Sequence, residues 1–246
     1  DRLEALNAAK LKLANPLSQK IMLMALVDKF EGIRLAAINS LNLDNSDLKN
    51  AALPILINIS QNDPKTKVKS AALEILASFN DKGYLPLFNQ ALKSQSYAIQ
   101  SAGLNGLAAI DGDAAFKMAK SLEKDSKGAL TGTISSIYAN NGDANNFYFV
   151  SNSFEQAGVQ EKFNTVSAFG LLLSKVKDLQ DFKTGLNQIK QFAIDNKKYG
   201  IGNFIQTIMA NIQKVKSQNL ESADDASREN LKAQIQYLKE VTEAMK

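Results

Sequence analysis

Lys67-Val68-Lys69-Ser70-Ala71-Ala72-Leu73-Glu74-Ile75-Leu76 decides the fold, because it comes back. Its apolar residues sit at helical spacing, and the pattern returns at Ala98-Ile99-Gln100-Ser101-Ala102-Gly103-Leu104-Asn105-Gly106-Leu107. Val68, Leu73 and Leu76 map onto Ile99, Leu104 and Leu107 at a fixed offset of 31. A third copy lies earlier, at Gly32-Ile33-Arg34-Leu35-Ala36-Ala37-Ile38-Asn39-Ser40-Leu41. A helical unit recurring every 30 to 35 residues marks a stack in which each unit buries its apolar face only against its neighbours. The chain is therefore expected to be all-α, an α-solenoid or superhelix of antiparallel helix pairs.

Working outward, residues 2–14 read as a helix stopped by Asn15-Pro16, with Ser18 capping the next helix and Glu31 to Leu41 as its partner. Asp47 to Ser60, interrupted or restarted at Pro54, pairs with Lys65 to Phe79 across Gln61-Asn62-Asp63-Pro64. Leu85 to Leu92 pairs with Tyr97 to Ile110, and Pro86 follows Pro54 by 32 residues, so the proline travels with the repeat. Proline suits a first helical turn or a kink in a curving stack. Later pairs read as 114–123 with 129–139, 145–156 with 160–176, and 178–194 with 201–215. In the last pair Phe182, Leu186, Ile189 and Phe192 are expected to face Phe204, Ile205, Ile208 and Ile212. Ser217 to Ser227 reads as a polar loop, and Arg228 to Met245 as an amphipathic capping helix with Leu231, Ile235, Leu238, Val241 and Met245 on one stripe.

Composition narrows the chemistry. Among 246 residues there is no histidine and no cysteine. That excludes a histidine general base, a Ser-His-Asp triad, a thiolate nucleophile, a disulfide and the usual zinc sites from this chain. The net charge is +4, and only Arg2, Arg34 and Arg228 are arginine among 29 basic residues. Phosphate and base recognition favours the arginine fork, and the lysines scatter over helix faces, so no nucleic-acid partner is expected. No apolar run reaches the roughly 18 residues of a membrane span.

The remaining motifs read as structure. In Asp111-Gly112-Asp113 and Asn141-Gly142-Asp143, 30 residues apart, the glycines suit a left-handed helix end and Asp113 and Asp143 suit caps. Neither follows the alternating ligand pattern of a calcium loop. Tyr199-Gly200-Ile201-Gly202-Asn203 lacks the third glycine and the preceding strand of a dinucleotide site, so it reads as a helix-to-helix turn. Lys65, Lys67 and Lys69, and Lys117, Lys120, Lys124 and Lys127, could touch an acidic partner, but solvated helix faces have this composition too. Asp224-Asp225 has no basic or metal-ligand companions at diagnostic spacing. No catalytic, cofactor-binding or metal-binding residue is assigned.

The run Leu53-Pro54-Ile55-Leu56 through Asn62-Asp63-Pro64 to Val68-Lys69-Ser70-Ala71-Ala72-Leu73 resembles a HEAT repeat, with an apolar proline-bearing first helix, an aspartate turn, then small residues and leucine. Over the whole chain, the opening Asp1-Arg2-Leu3-Glu4-Ala5-Leu6 followed by HEAT-like pairs is similar to the C-terminal domain of bacterial aminopeptidase N-like zinc metallopeptidases (gluzincins). The resemblance implies a non-catalytic wall of a substrate chamber that limits access to peptides. Zinc and a His-Glu-x-x-His helix would lie in an upstream catalytic domain, the chain's expected partner. On that reading residues 1–16 join to the absent domain, 17–216 form the HEAT-like solenoid, and 217–246 supply a polar loop and cap. The start at Asp1 rather than Met fits an excised or processed chain, and no compartment is assigned. The competing expectation is a free-standing HEAT-like scaffold that holds a protein partner on its concave helices.

Overall fold

The computed structural model describes residues 1–245, which form fourteen α-helices and no strand among the described residues. The helices divide into two compact units, Asp1–Leu130 and the remainder from Thr131.

In the first unit α1 (Arg2–Ala9) leads into α2 (Pro16–Leu26) and α3 (Glu31–Asn39). Next come α4 (Ser46–Asn62) with α5 (Thr66–Ala77), α6 (Leu85–Ala91) with α7 (Tyr97–Ile110), and α8 (Gly112–Leu122). Each pair packs within itself, and α3, α5 and α7 also pack in series while α2 packs on α4. Two layers of helices result, as stacked repeats require. The recurring sequence supplies the seam between the layers. Val68, Leu73 and Leu76 and their counterparts Ile99, Leu104 and Leu107 are all buried. Ala37 and Ala72 occupy equivalent seam positions at 0% exposure, and the copy at 98–107 places Gly103 there. A Cβ on Gly103 would lie 2.8 Å from Ala91 Cβ and 2.9 Å from Phe88 O, and one on Gly106 would meet the Phe88 ring at 2.3 Å. The two glycines let the short α6 settle onto α7 with Phe88 fully buried.

Several local expectations change. The first helix ends at Ala9, and Asn15 rather than Ser18 caps α2, accepting from Leu17 N with Pro16 in the first turn. Ser18 is buried inside the helix. Pro54 does not restart α4, which runs unbroken through it; a helix supported by neighbours on both sides tolerates one lost amide donor. Asp111, not Asp113, caps α8 by accepting from Ala114 N at 2.9 Å. Neither Gly112 nor Gly142 is left-handed; the positive-φ glycines are Gly128 and Gly200. Gly142 is required for space instead, since a Cβ there would lie 2.5 Å from Tyr138 O.

The second unit takes most of α9 (Ala129–Asn141), then α10 (Phe147–Gln156) with α11 (Val159–Lys175), α12 (Leu179–Asp195) with α13 (Gly202–Glu221), and α14 (Asp225–Glu243). Again the pairs stack: α10 packs on α12, α11 on α13, and α14 covers both helices of the last pair. Phe154 and Phe169 lie 4.9 Å apart between ring centres, and Phe163 and Phe192 lie 5.1 Å apart edge-on, so the aromatics are core. Phe204, expected in that core, is 43% exposed. Most of the stretch 217–227 read as a loop is helical, with α13 reaching Glu221 and α14 starting at Asp225. Ile235, Leu238 and Val241 of α14 are buried, as a capping stripe requires.

Two lysines lash the second unit together end to end. Lys175, the last residue of α11, donates to Ala139 O, Asn140 O and Gly142 O at 2.8, 3.0 and 3.1 Å, satisfying the carbonyls at the end of α9. Lys216, near the end of α13, donates to Val176 O, the cap of α11. Each cation sits at the negative end of the helix two before its own, α9 for Lys175 and α11 for Lys216. Burial lowers the pKa of both amines, that of Lys216 to about 8.

Candidate functional site

The turns that join first to second helices in the first unit, residues 27–30, 63–65 and 92–96, lie side by side along one edge. Arg34 and Asp63 tie the first turn to the second. Arg34 Nε and Nη2 donate to the Asp63 carboxylate at 2.6 and 2.9 Å, and Nη1 donates to Asp28 O at 2.8 Å. The Asp63 hydrogen bond raises the guanidinium's pKa, and the charge is committed to this clamp at 8% exposure. Asp63 also accepts from Lys65 N at 2.9 Å, fixing the start of α5. Lys65 Nζ then reaches Glu31 at 2.8 Å, and Arg2 holds Asp28 at 2.6 Å.

Those three pairs consume every carboxylate of this edge: Asp28, Glu31 and Asp63 each have a basic partner. Lys29, Lys67, Lys69 and Lys93 remain, and no ion pair among the described residues takes any of them. The edge is therefore basic, and it carries the exposed rings of Phe30 and Tyr97 as well. Between its second and third turns opens a cleft of about 340 Å³ lined by Ser60, Gln61, Lys69, Gln90, Lys93 and Ser94, with Leu87, Ala91 and Ile99 beneath. Lys69 Nζ spends one hydrogen on Gln61 O at 2.7 Å and keeps two. No acid lines the cleft.

The sequence singled out Lys65, Lys67 and Lys69 but missed Lys93 and the amides facing them. The available signal was positional: Lys29, Lys65 and Lys93 each lie in a first-to-second-helix turn. Of Lys117, Lys120, Lys124 and Lys127, Lys120 lies 4.7 Å over the Phe116 ring. Asp224 caps α14 by accepting from Ser227 N at 2.8 Å, and hydrogen bonding from the Ser227 side chain, then from its amide, lowers the Asp224 pKa. Gly200, with φ of 71°, closes the turn before α13, as expected of that glycine pair. Among the described residues no group of three or more Asp or Glu side chains is placed to hold a metal ion. No helix among them is long and apolar enough to cross a membrane.

The second unit has a groove of about 470 Å³ over Phe154 and Phe192, rimmed by Val159, Lys162, Lys198 and Tyr199. Its acids are engaged locally: Gln188 Nε2 donates to Glu155 at 3.3 Å and Gln191 Nε2 to Asp195 at 2.7 Å.

Residues 53–132, from the middle of α4 into α9, match the family model described as HEAT repeats. These are HEAT-like repeats. The chain as a whole has an all-helical repeat fold consistent with an α-solenoid. The match includes the Asp63 turn and the basic cleft between the second and third turns. Among solved structures, an engineered protein is similar, with 13% identity, 91% of this chain and 97% of that one covered, and a TM-score of 0.39. No curated protein matches the sequence.

Proposed function

We propose that this chain is a non-catalytic HEAT-like scaffold whose work is to hold a protein partner. One observation carries the reading: the aligned turns of the first unit cancel all of their own carboxylates and leave four lysines and two exposed aromatic rings facing outward. Such a surface is compatible with contact. Affinity capture with the chain and with its Lys29→Glu/Lys67→Glu/Lys93→Glu variant, followed by reconstitution of the captured protein with purified chain, tests it. A defined complex with the first supports the reading, and its loss with the second assigns the contact to this edge; no complex with either refutes the reading.

A second reading is favoured by a different surface. Leu3, Leu11, Leu17, Met24, Val27 and Phe30, six large apolar side chains within the first thirty residues, are exposed by 46–78%. An apolar end of this kind suits a further module packed against it. The non-catalytic C-terminal domain of a zinc aminopeptidase, walling a peptide chamber, is such an arrangement. Residues 1–16 would then meet the catalytic domain, with 17–216 as wall and 217–246 as closing segment. A complete gene without an upstream His-Glu-x-x-His would end this reading.

A further inference from the structure

We infer that the basic edge of the first unit binds an extended acidic peptide segment, taking its carboxylates at successive turns. The inference rests on the scaffold reading and gives the partner its chemistry. Three features point to carboxylates on a polypeptide. First, the cations without an ion-pair partner on this edge are all lysines: the Arg34 fork is closed on Asp63, and Arg2 is paired with Asp28 through Nη1. Second, the cleft between the second and third turns pairs two ammonium groups, on Lys69 and Lys93, with neutral hydrogen-bonding groups on Ser60, Gln61, Gln90 and Ser94 and no acid. One carboxylate with its four acceptor sites fits that lining. Third, the turns are spaced by the packing of helix on helix, about 8–10 Å per layer. An extended chain rises about 3.3 Å per residue, so acids three residues apart advance by about 10 Å. Lys29, then Lys67 with Lys69, then Lys93 can therefore be met in order by one strand carrying an acid at every third position. Leu87, Ala91 and Ile99 under the cleft, with Phe30 and Tyr97 at the rim, offer apolar contact to the residues between.

Fluorescence anisotropy on the intact chain tests this with four labelled probes at low and moderate salt. Three are twelve-residue peptides of equal apolar content: one with glutamate at every third position, one with the same glutamates clustered at one end, and one with lysine replacing glutamate. The fourth is a twelve-nucleotide uridine oligomer. The spaced acidic peptide is expected to bind at least five-fold more tightly than the clustered one and at least ten-fold more tightly than the lysine peptide, weakening as salt rises. Lys69→Gln/Lys93→Gln is expected to reduce that binding at least ten-fold, with an unchanged helical circular-dichroism spectrum. The control pair Lys214→Gln/Lys239→Gln, exposed in the second unit, is expected to leave it within two-fold. Equal binding of all three peptides, or binding unaffected by the Lys69 and Lys93 changes, overturns the inference while leaving the scaffold reading intact. Tighter lysine-dependent binding of the oligonucleotide overturns it in favour of a nucleic acid. No binding of any peptide overturns the inference, while the capture experiment still decides the scaffold reading.

Discussion

Lys216 offers the sharpest quantitative test of the second unit. It is 2% exposed, its ammonium donates to Val176 O, and it lies 4.9 Å from the centre of the Phe182 ring. Burial lowers its pKa from 10.5 to about 8. Each pKa unit corresponds to about 1.4 kcal/mol, so carrying the charge into the fold costs about 3 kcal/mol at neutral pH. The sign follows from proton counting. Below pH 8 both states hold the proton and the folded state bears the whole penalty. Between pH 8 and 10.5 the unfolded chain binds more protons than the folded one, so stability rises with pH. Lys216→Met removes the penalty and forfeits a hydrogen bond worth about 1 kcal/mol. The variant is expected to be more stable than wild type by about 2 kcal/mol at pH 7, and the advantage should shrink to about zero by pH 10. Urea unfolding followed by circular dichroism at pH 7, 8.5 and 10 measures the difference directly. Lys175 titrates in the same direction but is present in both proteins and cancels. A methionine variant less stable than wild type at pH 7, by an amount that does not change with pH, would show that burial of the Lys216 charge carries no penalty.

Asp63→Ala strands the buried Arg34 guanidinium and should cost about 3–5 kcal/mol, read as a large fall in melting temperature; Arg34→Met/Asp63→Leu together should recover most of it. Gly106→Val should cost about 2–3 kcal/mol by driving a side chain into the Phe88 ring, and adding Phe88→Ala should not add the full cost of that second change. Asp111→Ala should cost about 1 kcal/mol through loss of the α8 cap, whereas Asp113→Ala should cost less than half as much in parallel denaturant titrations. Replacing Met24 by lysine should leave thermal stability within about 0.5 kcal/mol, because that side chain is 61% exposed and supports no core.

The repeat was legible because its seam is written in residue size. Val68, Ala72, Leu73 and Leu76 fill one interface, and Ile99, Gly103, Leu104 and Leu107 fill the next with the same sequence of shapes. Helix ends were harder to read. Asn15 and Asp111 cap helices at positions where Ser18 and Asp113 offer the same chemistry a few residues later, and local propensity does not choose between them. The stretch from Ser217 looks polar because α13 shows solvent a broad face there while Lys216 carries its buried contact. The candidate edge was half legible. Its lysines are visible in the sequence, but cancellation of Asp28, Glu31 and Asp63 depends on pairings across turns up to 34 residues apart.

The cross-braces of the second unit also bear on how its sequence can change over time. Lys175 and Lys216 each fasten one helix to the end of another through main-chain carbonyls. Every amino acid supplies such a carbonyl, so residues at 139, 140, 142 and 176 can be exchanged without losing an acceptor, whereas the donor is carried by the lysine side chain alone. Asp63 and Arg34 are a matched set that must change together. The second unit thus has one-sided fastenings and the first a two-sided one. Drift in side-chain identity is tolerated at the receiving ends of the former.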